Sequence, residues 1–267
     1  MSLTRAAQRV AAEAADSLAR IAGVPRASWR SGWRRREQRA DRPLHGVGLG
    51  LLGVRSVAMV DRERERDLLW NELATVDRES RLRVVLLEGA AGNGKTRLAR
   101  WIAERAHEMG AAEVLRARWS NAGGDALRDM LERDLACDGL TRHEVQARVK
   151  LVLRRLGVTD SGERADLTEL LAPIDLSDLD EDDLEDERSA PGISARRRRQ
   201  LLLSWLGHRS RRHPLVFVLD DLQWGPEGLI LLRELVTSRT TQRLPVLVVA
   251  TIQDDALAER GGERALL

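Results

Sequence analysis

Tyrosine is absent from this chain of 267 residues, phenylalanine occurs once, and even with seven tryptophans the aromatic share is only 3%. A core poor in rings must be packed from Leu, Val, Ala and Ile, and the 43% apolar content is enough for a sizeable one. The single cysteine, Cys137, excludes an intrachain disulfide and fits a reducing compartment. Five histidines show no metal-ligand spacing among themselves or with Cys137, so no structural metal is expected. No apolar run approaches the ~20 residues a membrane helix needs. The nearest, Leu44 to Val54, is short and broken by glycines. The N-terminus lacks the apolar core of a signal peptide, and Glu13 and Asp16 argue against a transit peptide. A soluble cytoplasmic protein is expected.

Lysine is scarce as well: only Lys95 and Lys150 interrupt the arginines among 44 basic side chains. Lys150 apart, a positive charge that serves solubility or an ion pair in this chain is an arginine. Lys95 lies in Gly89-Ala90-Ala91-Gly92-Asn93-Gly94-Lys95-Thr96, which fits the phosphate-binding pattern G-x-x-x-x-G-K-[ST] without mismatch. Such a loop needs a compact ammonium that can slide along a triphosphate, and a planar guanidinium has the wrong shape.

The context agrees. Val84-Val85-Leu86-Leu87 reads as a strand buried on both faces of a parallel sheet. Leu98, Ile102, Ala106 and Met109 mark an amphipathic helix behind the loop, stopped by Gly110. Strand, loop and helix in that order are what the motif requires. Its backbone N–H groups would cradle phosphate oxygens at the positive end of the helix, with all eight loop residues as the nucleotide-binding set. Lys95 would bridge the β- and γ-phosphates and act in catalysis, and the Thr96 hydroxyl would ligate Mg²⁺.

A second apolar run, Leu215-Val216-Phe217-Val218-Leu219, ends in Asp220-Asp221. Strands often end in turn-forming Asp, but downstream of a phosphate loop the pair acquires a specific meaning. Asp220 is placed to hold Mg²⁺ through water, and Asp221 to orient or polarise the attacking water. Glu227, behind Pro226, reads as an acid favoured in a helix's first turn.

Elsewhere, residues 3–21 and 62–79 read as amphipathic helices, the latter with Leu68, Leu69, Leu73 and Val76 on one face. Val114–Trp119 is a candidate strand, Asp125 and Ser194 are candidate helix caps, and Thr141 to Glu144 forms a capping box. Nine acids fall within residues 175–187, and Arg196 to Arg199 open a later helix against its dipole. The acidic run either folds back over those arginines or stays a solvated loop beside an unrelated basic face, since exposed pairs contribute only ~0–1 kcal/mol each. No internal repeat is evident.

The net charge of +2 hides an asymmetry, since residues 1–55 carry 11 arginines against four acids, leaving the remainder at −5. A basic arm could touch nucleic acid, anionic lipid or an acidic partner. A solvated linker is the plainer reading, because no base-reading motif accompanies the charge. Trp29 and Trp33 within the arm could stack on bases or dock on the protein's own body.

Leu219-Asp220-Asp221-Leu222-Gln223-Trp224 resembles the Walker-B signature of the AAA-related signal-transduction ATPases of the STAND class. Val60-Asp61-Arg62-Glu63-Arg64-Glu65 is similar to their Val-Gly-Arg-Glu motif, which implies contacts from Val60 and Arg62 to adenine. Pro245 to Thr251 resembles their fourth strand, which implies that Thr251 senses the γ-phosphate. The matches run over residues 56–255 and are especially like ATPase modules fused behind Ser/Thr kinase domains in bacterial regulators. Asp61 stands where that family has Gly, and Gln253 where it usually has Arg.

The expectation is an α/β P-loop NTPase, a three-layer sandwich with a mostly parallel sheet. Residues 1–55 form a basic N-terminal helix and linker, and residues 56–267 an ATPase core in which the family's fifth strand and lid find no room. The resemblance implies an ATP-binding regulatory switch in signalling, with slow Mg²⁺-dependent hydrolysis. ATP and Mg²⁺ are the expected cofactors, a signalling kinase or effector the expected protein partner, and no membrane is involved. The alternatives are a docking module that holds ATP without hydrolysing it, and a DNA-linked AAA-type ATPase using the basic arm.

Overall fold

The computed structural model describes residues 32–34, 61–173 and 193–255. The expected helix over residues 3–21, Trp29, Val60 and the acidic run lie outside them. Along the chain come α1 (Glu63–Glu79), β1 (Arg83–Gly89), α2 (Lys95–Glu108), β2 (Glu113–Arg118) and α3 (Ala126–Leu135). They are followed by α4 (Arg142–Arg155), α5 (Ser161–Leu171), α6 (Ala195–Arg209), β3 (Leu215–Asp220), α7 (Pro226–Thr237) and β4 (Val246–Gln253). These group into two compact units, one drawn from Pro25–Met130 with Leu206–Leu267, the other from Leu131–Trp205.

The first unit is built on a four-stranded sheet, all parallel, in the order β1–β4–β3–β2. Parallel neighbours require long crossovers, and the helices between the strands supply them. Val216, Val218, Leu247 and Val249 point to one face, where Leu69, Leu73 and Val76 of α1 and Leu98, Ile102 and Ala106 of α2 cover them. The alternating residues Phe217, Leu219, Val248 and Ala250 are equally buried on the other face. Each fully buried Val, Leu, Ile or Phe side chain contributes about 1.5–3 kcal/mol. This is the α/β architecture of the P-loop NTPases that the sequence predicts.

Two expectations are corrected here. The Val84–Leu87 run predicts a strand buried on both faces, but β1 is an edge strand among the described residues and Leu86 is 39% exposed. In α1 the apolar face is Leu69, Trp70, Leu73 and Val76, while Leu68 lies 52% exposed. Arg66 is buried instead, because its guanidinium stacks on Trp33 and Trp101.

The second unit is helical. The capping box of α4 is present, with Thr141 and Glu144 in the two roles. The Asp160 side chain caps α5 by accepting from the N–H groups of Gly162 and Glu163, and this helix escapes the sequence pattern. Val145, Val149 and Leu153 of α4 and Leu167 and Leu171 of α5 are buried. Arg142 pairs with Glu169 at 2.8 Å, Arg197 donates to Asp166 at 2.6 Å, and the Trp205 indole donates to Asp134 at 2.8 Å. Ser194 caps α6 through the Arg197 N–H at 3.2 Å, as expected. Among the described residues no helix is long and apolar enough to cross a membrane.

Candidate functional site

The strands β1, β4 and β3 are neighbours, so their C-terminal ends come together at one edge of the sheet, where parallel α/β sheets commonly place ligands. The loop Gly89–Thr96 leaves β1 there and runs into α2, which begins at Lys95. Gly94 holds φ 78° in open space, so the left-handed backbone rather than lack of room requires glycine. The first turn of α2 leaves N–H groups without intrahelical partners, aimed back along the loop.

Within the loop, the Lys95 ammonium donates to the carbonyls of Gly89 and Ala90, both at 2.7 Å. The Gly89 N–H donates to the Asp254 carboxylate at 3.0 Å. From the start of α1, Arg62 Nη2 donates to the Asn93 carbonyl at 2.9 Å. Arg62 reaches it from a turn in which Asp61 and Arg62 hold φ 66° and 61°. Asp61 can hold this left-handed backbone because the short polar side chain of Asp can hydrogen-bond locally.

Asp220 ends β3 and is fully buried. Its Oδ1 accepts from the Thr96 hydroxyl at 2.8 Å and the Thr251 hydroxyl at 2.9 Å. Its Oδ2 accepts from Arg116 Nη2 at 2.8 Å. A carboxylate withdrawn from water needs such partners, since an unpaired buried charge is costly. Thr96 and Asp220 together present hard oxygen donors of the kind that suit Mg²⁺.

Asp221 adopts φ 64° and stands at the head of a short 3₁₀ turn, Leu222–Trp224. Its N–H donates to the Thr251 hydroxyl at 2.9 Å, so Thr251 links both acids. Its carboxylate accepts from Arg118 Nε at 3.2 Å and from the Gln223 amide at 3.3 Å. Gln223 also accepts from the Gln253 N–H at 3.2 Å, tying the end of β4 to the turn after β3. The chain then passes under Trp119, where a Cβ built on Gly225 would lie 2.3 Å from the indole. Burial pushes the Glu104 carboxyl of α2 above its ordinary value, opposed by Arg100 and, more weakly, Arg116.

The structure therefore brings Gly89 to Thr96, Arg62, Asp220, Asp221 and Thr251 to one place, while Val60 lies outside the described residues. Arg116, Arg118 and Asp254 are site neighbours that the sequence does not single out, and Gln223 is legible only as part of the run that follows the acid pair. The arginine pair left a signal: two residues apart on a candidate strand, they must share a face. Asp254 left none.

Residues 58–249 match a family described as the AAA ATPase domain. No curated protein matches the chain. Among solved structures the chain is similar to the Aeropyrum pernix ORC2 protein in ADPNP–ADP complexes, at 17% identity and a TM-score of 0.35. That likeness covers 79% of this chain and 46% of the other, so the chain spans less than half that protein's length.

Proposed function

The chain belongs to the AAA ATPase domain family, and we propose that it is an ATP-binding regulatory module, a nucleotide-dependent switch in cytoplasmic signalling with slow Mg²⁺-dependent ATP hydrolysis. The observation that carries this reading is the 2.8 Å hydrogen bond from Thr96 to Asp220. It joins the first turn of the phosphate-loop helix to the strand end bearing the acid pair.

In this reading the amides of Gly89 to Thr96 bind the phosphates, and Lys95 exchanges the loop carbonyls for the β- and γ-phosphate oxygens. Val60 and Arg62 serve the adenine side. Thr96 and Asp220 would hold Mg²⁺, which when bound would neutralise charge on the phosphates. Asp221 orients a water and takes up its proton as the water oxygen bonds to the γ-phosphorus. The bond from that phosphorus to the bridging oxygen breaks, and ADP leaves with the electron pair.

Slow turnover is supported by two features. The Asp221 carboxylate is already engaged by Arg118 and Gln223. Gln253 also offers an amide where a cation would give a charge-assisted contact. The switch reading is supported by Thr251, whose hydroxyl touches both acids and so couples the γ-phosphate side to the turn after β3. The partner in this reading is a signalling kinase or effector protein.

The test is MgATP binding and turnover on purified protein beside Lys95→Ala and Asp221→Asn. Turnover lost in both variants is the expected result. Tight binding without turnover, lost only in Lys95→Ala, would make the chain a nucleotide-holding docking module. Steeply salt-dependent DNA binding that disappears on deleting residues 1–55 would instead favour a DNA-linked ATPase.

A further inference from the structure

Trp33 and Arg34 lie against α1 and α2, the helices before and after the phosphate loop. The Trp33 ring meets Trp101 of α2 edge-to-face, with centroids 5.1 Å apart and planes at 83°. The Arg66 guanidinium lies over both rings, at 4.6 Å from the Trp33 centroid and 5.7 Å from that of Trp101. Arg34 covers Trp33 at 4.4 Å.

Polar contacts fix the rest of the dipeptide. The Trp33 indole N–H donates to Asp67 Oδ1 at 2.7 Å. Arg34 straddles the same carboxylate, with Nη1 to Oδ1 at 2.7 Å and Nη2 to Oδ2 at 2.9 Å, and reaches Glu63 at 3.4 Å. From α2, Arg105 Nε donates to the Trp33 carbonyl at 2.7 Å. The face therefore reads an aromatic ring, its N–H, the adjoining cation and a backbone carbonyl. A single exposed ion pair would contribute little, but a bidentate pair sharing its carboxylate with an indole N–H gives geometric selectivity.

This face is wired to the loop. Arg66, held against Trp33, also donates Nη2 to the Asp61 carbonyl at 2.7 Å. Asp61 and Arg62 form the left-handed start of α1, from which Arg62 reaches the Asn93 carbonyl at 2.9 Å. The other helix touched, α2, begins inside the loop at Lys95.

We propose that this face of α1 and α2 is a docking site for the Trp33–Arg34 dipeptide, through which the segment ahead of the core controls the phosphate loop. Seated, the dipeptide holds Arg66 on the Asp61 carbonyl and keeps Arg62 braced against Asn93. Unseated, the brace loosens and nucleotide affinity falls. The nucleotide part of this inference rests on the ATP-binding reading above, whereas the bracing of the loop does not.

The test uses the full chain without nucleotide and reads amide hydrogen exchange across Gly89 to Thr96. Wild type is compared with Trp33→Ala, with the near-isosteric Asp67→Asn, and with Arg78→Ala at the far end of α1 as control. Both docking variants are expected to exchange at least about threefold faster than wild type, with the control unchanged. Equal rates in all four proteins overturn the proposal. MgATP affinity measured on the same set is expected to fall about threefold in the docking variants alone, and unchanged affinity overturns the control of the nucleotide site. If wild type itself binds no MgATP, the ATP reading fails, and the exchange rates alone decide whether the dipeptide braces the loop.

Discussion

Arg116 and Asp220 stand on neighbouring strands with a guanidinium nitrogen 2.8 Å from a carboxylate that is wholly buried. The parallel register sets Arg116 beside Val218, and alternation along β3 then puts the Asp220 side chain on the same face two residues later. With the Thr96 and Thr251 hydroxyls on the other oxygen, both oxygens of the acid are engaged by the protein.

Asp220→Asn preserves shape but removes the buried charge that Arg116 Nη2 meets at 2.8 Å. Breaking a fully buried pair costs about 3–5 kcal/mol. Because Arg116 is 28% exposed, the expected loss is smaller, about 1–3 kcal/mol. It should appear as a lower urea midpoint with an unchanged slope. A midpoint equal to wild type would show that the pair contributes nothing to the fold.

Gly225→Ala places a methyl group where the Trp119 indole lies, 2.3 Å away. A ring buried against a turn has little room to retreat, so destabilisation of about 1–3 kcal/mol is expected in chemical unfolding. The double variant with Trp119→Leu should recover part of that loss. A single variant as stable as wild type would mean that the turn shifts freely.

The Arg34 hydrogen bond, aided by the Trp33 indole N–H and the charge of Arg66, holds the Asp67 carboxyl below its ordinary value of 3.8. A depressed carboxyl pKa means that its contribution is complete above the ordinary value and is lost as pH falls through the depressed one. Docking of Trp33 should therefore be constant from pH 8 down to about pH 4 and weaken only below it. The difference between wild type and Asp67→Asn in the Trp33 indole N–H resonance checks this. A midpoint near pH 6 would contradict it.

Burial pushes the Cys137 thiol up to about 11, with Arg148 opposing and Glu132 adding slightly. At pH 8 the nucleophilic thiolate is then scarcer than in a free thiol by a factor of about 10². A chromogenic disulfide reagent should react at that pH only as the helical unit opens, and promptly in urea. Prompt reaction of the folded protein would place the thiol at the surface.

Much of the site is legible in the sequence because its chemistry demands particular residue types at particular spacings. The glycine-rich loop with Lys95 and Thr96 is one case, and the acid pair closing an apolar strand is another. The Thr141 capping box is legible for the same reason, since two side chains must reciprocate across one turn. The burial of Arg66 is not, because it depends on a tryptophan remote in the chain. Nor is the exposure of Leu86, which follows from where β1 falls in the sheet order rather than from its own composition. Helix α5 shows only a brief apolar pattern around Leu167, Leu170 and Leu171, and the grouping into a sheet unit and a helical unit leaves no change in composition to read. Arg116 and Arg118 become part of the site only through strand register.

The near-absence of lysine turns the phosphate loop into its own reporter. Reductive methylation with isotope-labelled formaldehyde would mark two side-chain amines, at Lys95 and Lys150. The Lys95 ammonium is held by the carbonyls of Gly89 and Ala90. A shift in its methyl signal would follow departure from those carbonyls directly, against a nearly silent background of arginine.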